Sequence, residues 1–576
     1  MSEKKDFLIP ALAGLIFSLP FYLMPVNNPD IFWHLSSGKF IVSNLTIPSK
    51  DFLSWTMKGA QWLDFEWLTQ VIYYLLYISF SIKALYFLKI ALVSGYLFIT
   101  ALLLREKKVA SIHILWLLPL TAAAVLTSND VRPENFSVLF FMISWYFLEK
   151  SSKDAYAGRW PFIFAVFFAI WVNFHGGFIY GLALIFLFCA GQLLNENLDF
   201  IAGRKAFSAR LSSRLFLLLT ASIAGTLANP YGLKIYSVLL EHFLHSSAYQ
   251  DYLLEWRDFD ITFEYARPFS FLLLAFPICY LINFLRKRKI DFIEIFTALF
   301  FTMAALMHIR NTVFAGLALT VLSSSFLREI KGPRISLIMP LLFLFAVYLH
   351  FFVTVVKDYH DFAISKFYFS SPGLVSFLKE NEKQLSGLKM YNSWAWGGYL
   401  GWELYPSYRV FIDGRYIFSH MLPELVAARG SISKWGNMSK RYGIELVVMP
   451  PANERIMVRK KLSSGEDYAV NTPLYVLQLP PQKWALVYFD RKNIVAVKRD
   501  SVSSQWLKKN EYIFIGPNKL DGLEYPLYRG EIELEKIRAE IIRYTKKVPV
   551  EDENSQAGYM LYWLKKAEKD FVRRGK

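Results

Sequence analysis

In Pro29-Asp30-Ile31-Phe32-Trp33-His34 a carboxylate and an imidazole stand four residues apart. A helix starting at the proline carries Asp30 in its first turn and brings His34 to the same face. There the two can share a proton, hold a metal ion or orient a hydroxyl nucleophile, with Trp33 beside them as a substrate-binding surface. The plainer alternative is that Asp30 only caps a helix. A second acid follows in Asp64-Phe65-Glu66-Trp67, where it would also suit a helix start. Asp130-Val131-Arg132-Pro133-Glu134 offers a guanidinium whose paired donors match a phosphate, flanked by acids that contact substrate or simply pair with it. His308-Ile309-Arg310-Asn311 is a second phosphate candidate, although His308 alone is also a satisfied structural imidazole and Arg310 can snorkel. In Asn173-Phe174-His175-Gly176-Gly177 the glycine pair lets the chain reverse, so His175 projects into a cavity or merely sits in a turn. Asn229-Pro230-Tyr231-Gly232 reads mainly as helix termination.

These residues need a scaffold, and the composition says which kind. The chain has 576 residues, 54% hydrophobic and 19% charged, with Phe 51, Tyr 33 and Trp 16. Disordered, collagen-like and disulfide-scaffold classes are excluded. Two cysteines, Cys189 and Cys279, sit in apolar runs and build neither a disulfide framework nor a zinc site. The net charge of +17 would point to nucleic acid in a soluble protein, but its distribution does not. Residues 1–356 hold 29 Lys/Arg and 22 Asp/Glu, against 35 and 25 in the shorter stretch 357–576. A membrane domain (1–356) therefore precedes a water-soluble one (357–576). No Gly-rich phosphate loop, dinucleotide fingerprint or closely spaced His/Cys metal set is present, so neither a nucleotide-activated donor nor a nucleic-acid partner is expected.

On a requirement of roughly 20 apolar residues per span, relaxed inside a bundle, eleven spans are expected: 7–26, 84–104, 109–127, 135–149, 160–174, 178–195, 214–228, 268–285, 291–307, 309–327 and 335–356. The apolar stretch 67–82 has 16 residues and decides the sidedness of everything after it. If it lies along the surface, the clusters Lys4/Lys5, Arg105/Lys107/Lys108, Lys150/Lys153/Arg159, Arg204/Lys205/Arg210/Arg214, Arg286–Lys289 and Arg328/Lys331/Arg334 share one side, 19 of the domain's 29 basic residues. If it crosses, all but the first cluster flip outward, against the positive-inside bias. The surface placement leaves a first external loop, 27–83, and gathers the acids, histidines and arginines named above on one face. An enzyme working at the outer leaflet is expected to look so; a carrier more often places such groups near the midplane.

From Lys357 strand-like and helix-like runs alternate, which predicts an α/β domain with a small, partly parallel sheet. Strands are expected at 389–391, 409–412, 445–449, 474–478, 485–490 and 494–498, and helices at 397–405, 423–428, 531–545 and 558–571. Trp394 and Asp413, with Arg415 beside it, follow strands and would bind a sugar or peptide acceptor by stacking and hydrogen bonding; the alternative is packing for Trp394 and a tight turn at Asp413-Gly414.

A multi-span chain whose first external loop follows span one at once, with Asp30 near its start, Glu66 near its end and an interfacial helix after it, resembles the C-type glycosyltransferase superfamily. The resemblance covers about the first 350 residues in architecture, while its specific match is loop one together with Arg132 and Arg310. It implies a polytopic α-helical membrane fold with an extracytoplasmic C-terminal α/β domain, and a sugar donor linked to a polyprenyl phosphate. It also implies Asp30 as base toward the acceptor, Glu66 as the second loop acid, and the arginines as contacts to the lipid phosphate. His34 beside Asp30, and Asp-Phe-Glu-Trp in place of an acid pair beside the first, depart from the plainest pattern. The expected activity is inverting transfer to an extracytoplasmic glycan, lipid or protein acceptor, with His34 or Glu66 tuning Asp30 or holding a divalent cation near Asp30, His34 and Glu66. The expected location is the bacterial inner membrane, with a cytoplasmic N-terminus and the C-terminal domain outside, over the site. The alternative class is a non-enzymatic lipid-linked glycan transporter or glycan-binding assembly protein, for which Glu241 and Glu294 would be the residues to follow.

Overall fold

The computed structural model describes every residue except 1, 129, 154–156, 202–209, 245–249, 251–252, 264–266, 288–289, 329–334, 355–368, 452, 549–554 and 574–576. Arg204, Lys205, Arg288, Lys289, Lys331 and Arg334 of the basic clusters, and the end of the eleventh apolar run, lie outside the described residues. Packing divides the chain into two units, one of residues 1–49 and 63–368, the other of 50–62 and 369–576. The middle of the first polar loop thus belongs to the second unit.

The first unit is helical because its apolar runs must satisfy their own backbone groups. Its helices include α1 (Ser2–Ser18), α2 (Ile31–Asn44), α3 (Trp67–Glu106), α4 (Ser111–Ala124), α5 (Glu134–Lys153), α6 (Trp160–Trp171), α7 (Phe178–Ile201), α8 (Arg210–Gly225), α9 (Ile235–Leu244), α10 (Arg267–Lys287), α11 (Phe292–Met307), α12 (Thr312–Leu322), α13 (Ser324–Leu327) and α14 (Ile335–Thr354). Each of the eleven apolar runs contains helix among its described residues, although 22–26 and 172–174, at the ends of two of them, are turn or coil. By length and composition, Trp67–Glu106, Phe178–Asp199 and Arg267–Arg286 are long and apolar enough to cross a membrane, and shorter apolar helices of 10–17 residues accompany them. Aromatic side chains fill the bundle: Trp145 and Trp171 are fully buried, Phe141 meets Phe301 edge-on at 5.1 Å, and Tyr180 stacks on Phe314 at 4.3 Å.

Two local features set loop one. Helix α2 follows Pro29 and Asp30 closely, and Asp30 occupies its N-cap position without accepting a capping hydrogen bond through its side chain. Gly38 of α2 is required by close approach, since a Cβ there would stand 2.1 Å from the Gln70 carbonyl oxygen of α3. In α3 the helix is interrupted at Ser81 (φ 59°, ψ −165°), a backbone region nearly reserved for glycine. Before the break, Trp67 Nε1 donates to Asn173 Oδ1 (2.9 Å) and Thr69 Oγ1 to the Phe174 carbonyl (2.8 Å). After it, Tyr86 Oη donates to the Leu23 carbonyl (2.7 Å) and Lys89 Nζ to that of Met24 (2.6 Å).

The second unit carries a four-stranded sheet in the order β1 (Met390–Asn392), β2 (Leu446–Met449), β6 (Ile494–Lys498), β5 (Trp484–Phe489), with β1 and β2 parallel and the other pairs antiparallel. A separate hairpin pairs β3 (Arg455–Lys461) with β4 (Asp467–Pro473). Leu474–Gln478, expected as a strand, is a short helix, and 409–412 forms only an isolated bridge, from Val410 to Ser54. Helices Trp394–Leu404, Leu422–Arg429, Leu534–Lys547 and Gln556–Arg573 match expected ones. Segment 50–62 lies along residues 409–411: Trp55 N donates to the Val410 carbonyl (3.0 Å) and Val410 N to that of Leu53 (3.2 Å).

Candidate active site

Within the first unit the dispersed polar motifs converge. At the end of loop one, Glu66 lies between two imidazoles: His34 Nδ1 is 3.9 Å from Oε2 and His175 Nε2 is 3.6 Å from Oε1. His34 and Glu66 meet because α2 packs on the start of α3; His175 arrives because the turn after α6 is pinned to Trp67 and Thr69. The expected shared face of Asp30 and His34 is built, with His34 N bonded to the Asp30 carbonyl (3.2 Å), while the charged partner that the His34 ring meets is Glu66. Trp33 is buried, its ring centroid 3.6 Å from that of His34. Asp64 is buried as well, accepting from Gln70 Nε2 at 2.6 Å, while its N–H donates to Tyr231 Oη at 2.9 Å.

The arginines form the other half. Arg132 bonds Glu255, and Arg310 faces Glu134 and Glu255, each at 3.8 Å. Glu255 thus places one oxygen toward each guanidinium. Arg310 also stacks over Trp256 at 4.9 Å. His308 Nδ1 bonds the Trp256 carbonyl at 2.8 Å and its ring packs on the Trp256 ring at 5.3 Å. A carbonyl can only accept, so Nδ1 carries the proton, and His308 holds the Glu255-Trp256 turn. Asp130 joins the two halves: its carboxylate accepts from Asn27 N (3.0 Å) and Val131 N (2.7 Å).

The electrostatics are those of a shared, partly desolvated site. Burial, then the charges of Asp64 and Asp30, push the Glu66 carboxyl well above its usual range, with Arg310 pulling the other way. Burial, then the His175 ring and Arg132, hold His34 well below the usual imidazole value, so it is neutral at pH 7. Burial works against the Arg132 charge, yet Glu255, Asp30 and Glu134 raise its pKa above the ordinary one. Burial opposes the Glu255 charge too, and Arg132 with Arg310 overcomes it, holding that carboxyl below its usual value. Among the described residues no three His, Cys, Asp or Glu side chains are grouped so as to hold a metal ion.

Asp413, Arg415 and Trp394 belong to the second unit. Asp413 and Arg415 are fully buried; Arg415 Nη2 bonds Asp413 Oδ2 (2.7 Å) and Asp51 Oδ1 (2.5 Å), and its guanidinium stacks on Trp62 at 4.6 Å. Neither charge is open to solvent. Trp394 opens a helix and is partly exposed, while Trp396 is buried against Phe369. Sequence reasoning singled out neither Ser137, which contacts His175, nor Asp51; both lie far in sequence from their partners.

No protein-family model and no curated protein matches the chain. Among solved structures it is similar to the oligosaccharyltransferase of Archaeoglobus fulgidus. The apo form gives 10% identity over 98% of this chain and 86% of that one, with a TM-score of 0.54. The complex with Zn and sulfate gives 11% over 99% and 85%, with a TM-score of 0.50. ArnT from Cupriavidus metallidurans bound to undecaprenyl phosphate gives 11% over 86% and 97%, with a TM-score of 0.43. The likeness shows the fold. The chain shares the fold of that oligosaccharyltransferase, as the resemblance of loop one leads one to expect, and three of its described helices are long and apolar enough to cross a membrane.

Proposed function

We propose that the protein transfers a sugar from a polyprenyl-phosphate donor to an extracytoplasmic acceptor in a single inverting displacement. The observation that supports this most directly is the convergence of loop-one acids and two arginines in one cluster. Asp30 accepts the proton of the acceptor hydroxyl as its oxygen attacks the anomeric carbon. The bond from that carbon to the donor phosphate breaks, and Arg132 and Arg310 take up the charge that develops on the departing phosphate. Donors preorganised at that position are usually the largest electrostatic contribution to such a step. Glu66, flanked by His34 and His175, holds the loop-one end and sets the charge around Asp30, while Trp33, Asp130, Glu134 and His308 shape the donor pocket. The side chains of Asp30, His34 and Glu66 are not grouped as a metal site, so no step of this proposal runs through a divalent cation.

The membrane reading completes it. Eleven spans, a cytoplasmic N-terminus and external loop one place the cluster at the outer leaflet, with the C-terminal domain on the same side. Two facts support a surface course for Trp67–Phe80. The helix breaks at Ser81, and the residues after the break bond Leu23 and Met24, a few residues before Asp30, while the residues before it border Glu66.

The test is release of sugar from a synthetic polyprenyl-phosphate sugar by the purified full-length protein in micelles, with water as acceptor if none other is supplied. Cleavage by the wild type that is lost in Asp30→Asn at equal yield is the expected result. Donor movement across vesicles without bond cleavage would establish the transporter reading instead.

A further inference from the structure

Ser137 and Trp171 are buried polar residues that the proposed mechanism does not use. Ser137 lies in the first turn of α5 and Trp171 ends α6, so neither belongs to the loops that supply the acids and arginines. Their hydrogen bonds nevertheless lead into the site. Trp171 Nε1 donates to Ser137 Oγ at 2.8 Å. An indole nitrogen has no acceptor lone pair, so this direction is fixed. Ser137 Oγ is 3.0 Å from His175 Nδ1, and the Gly177 backbone N–H donates to the same Nδ1 at 2.9 Å. A backbone N–H cannot accept either, which makes Nδ1 an acceptor. Ser137 then has one proton to give, and Nδ1 receives it. A second ring proton on Nδ1 would face the Gly177 N–H head-on.

Glycine at 177 is part of the same device, because a Cβ there would stand 2.7 Å from Ser137 Oγ and 2.9 Å from His175 Nδ1. The only nitrogen left to carry the ring proton is Nε2, which faces Glu66 Oε1 at 3.6 Å. That separation is longer than a hydrogen bond and is of the kind that tightens when a site fills.

We infer that Ser137 and Trp171 are positioning residues that lock His175 as the neutral Nε2–H tautomer, so that His175 presents a hydrogen-bond donor to the Glu66 carboxyl and does not act as a base there. The tautomer follows from the hydrogen-bond directions alone; its consequence for turnover rests on the transferase reading above. In that setting His175 steadies the second loop acid, while Asp30 remains the group that accepts the acceptor's proton.

The direct test is ¹⁵N NMR of the histidine-labelled full-length protein in nanodiscs at pH 7.5, with the His175 signals identified by their loss in His175→Asn. The expected wild-type spectrum shows a protonated Nε2 and a bare Nδ1. A protonated Nδ1, or protons on both nitrogens, would overturn the inference. Ser137→Ala should yield a mixture of tautomers, and Trp171→Phe, which keeps the hydroxyl but frees its rotation, a smaller shift in the same direction. An unchanged His175 spectrum in both variants would also overturn it, leaving Gly177 as the sole determinant. In the sugar-release assay Ser137→Ala should lower kcat about tenfold with KM for the donor unchanged, a fraction of what a positioned acid–base group contributes. The spectra need no substrate, so a wild type that releases no sugar but shows the Nε2–H tautomer would end the transferase reading alone.

Discussion

Two clusters in this protein are built from the same side chains and differ in how they are closed. Arg415 with Asp413 and Asp51 is sealed: the Arg415 and Asp51 side chains are 0% exposed, and the ion pairs are 2.5–2.7 Å long. The cluster of the first unit is open. Arg132 and Arg310 are 28% and 22% exposed, the contacts of Arg310 and Glu66 run from 3.6 to 3.9 Å, and acids are shared among several partners. A closed buried pair fixes a fold and is strongly destabilising to break. An open set with mutually perturbed titration has capacity left for a substrate charge, which is why the cluster of the first unit is the one assigned chemistry.

That contrast can be broken in order of effect. Asp30→Asn should reduce sugar release about 10³-fold or more while leaving the melting temperature where it is, measured on matched purified samples. An equal loss of folding would erase the distinction between the clusters. Arg415→Ala should do the reverse, costing about 3–5 kcal/mol of stability of the second unit by leaving Asp413 and Asp51 buried without their partner, as read by thermal unfolding of the full chain. Arg132→Ala and Arg310→Ala should each lower kcat/KM for the donor by about 10²-fold with little change in stability. The smallest effect sharpens the electrostatics. Asp64 is one of the charges raising the Glu66 carboxyl, so Asp64→Asn should move the acid limb of the pH–rate profile to lower pH. The sign is fixed: removing a neighbouring negative charge makes Glu66 easier to ionise, and activity that needs its carboxylate then survives further into acid. A shift to higher pH would show that Asp64 acts on Glu66 by some other route.

What the sequence made legible was whatever depends on local pattern. The apolar runs are long enough to declare helices, and Pro29 before Asp30 announces α2 with His34 one turn on. Loop one could be recognised because its two acids and the following helix are contiguous. The Glu255 contact to Arg132 spans 123 positions, and that of Asp51 to Arg415 spans 364, so neither pairing leaves a local trace. The folding of 50–62 into the second unit is hidden for the same reason. Leu474–Gln478 is a short run, four apolar residues and a glutamine, between Pro473 and Pro480, where periodicity cannot tell strand from helix. The hairpin strand Arg455–Lys461 escapes notice because basic residues occupy both its faces and mask the alternation. Ser81 interrupts α3 with a backbone conformation that nothing about serine announces.

The claim on which the functional account turns is that one anionic headgroup is shared by two arginines beside the loop-one acids. A structure of the full-length protein with a polyprenyl phosphate bound measures this directly. The account predicts the phosphate between the guanidinium groups of Arg132 and Arg310, displacing the Glu255 carboxylate from at least one of them, with Asp30 at the edge of the same pocket. A phosphate bound elsewhere, with the Arg132–Glu255 and Arg310–Glu134 pairs undisturbed, would contradict it.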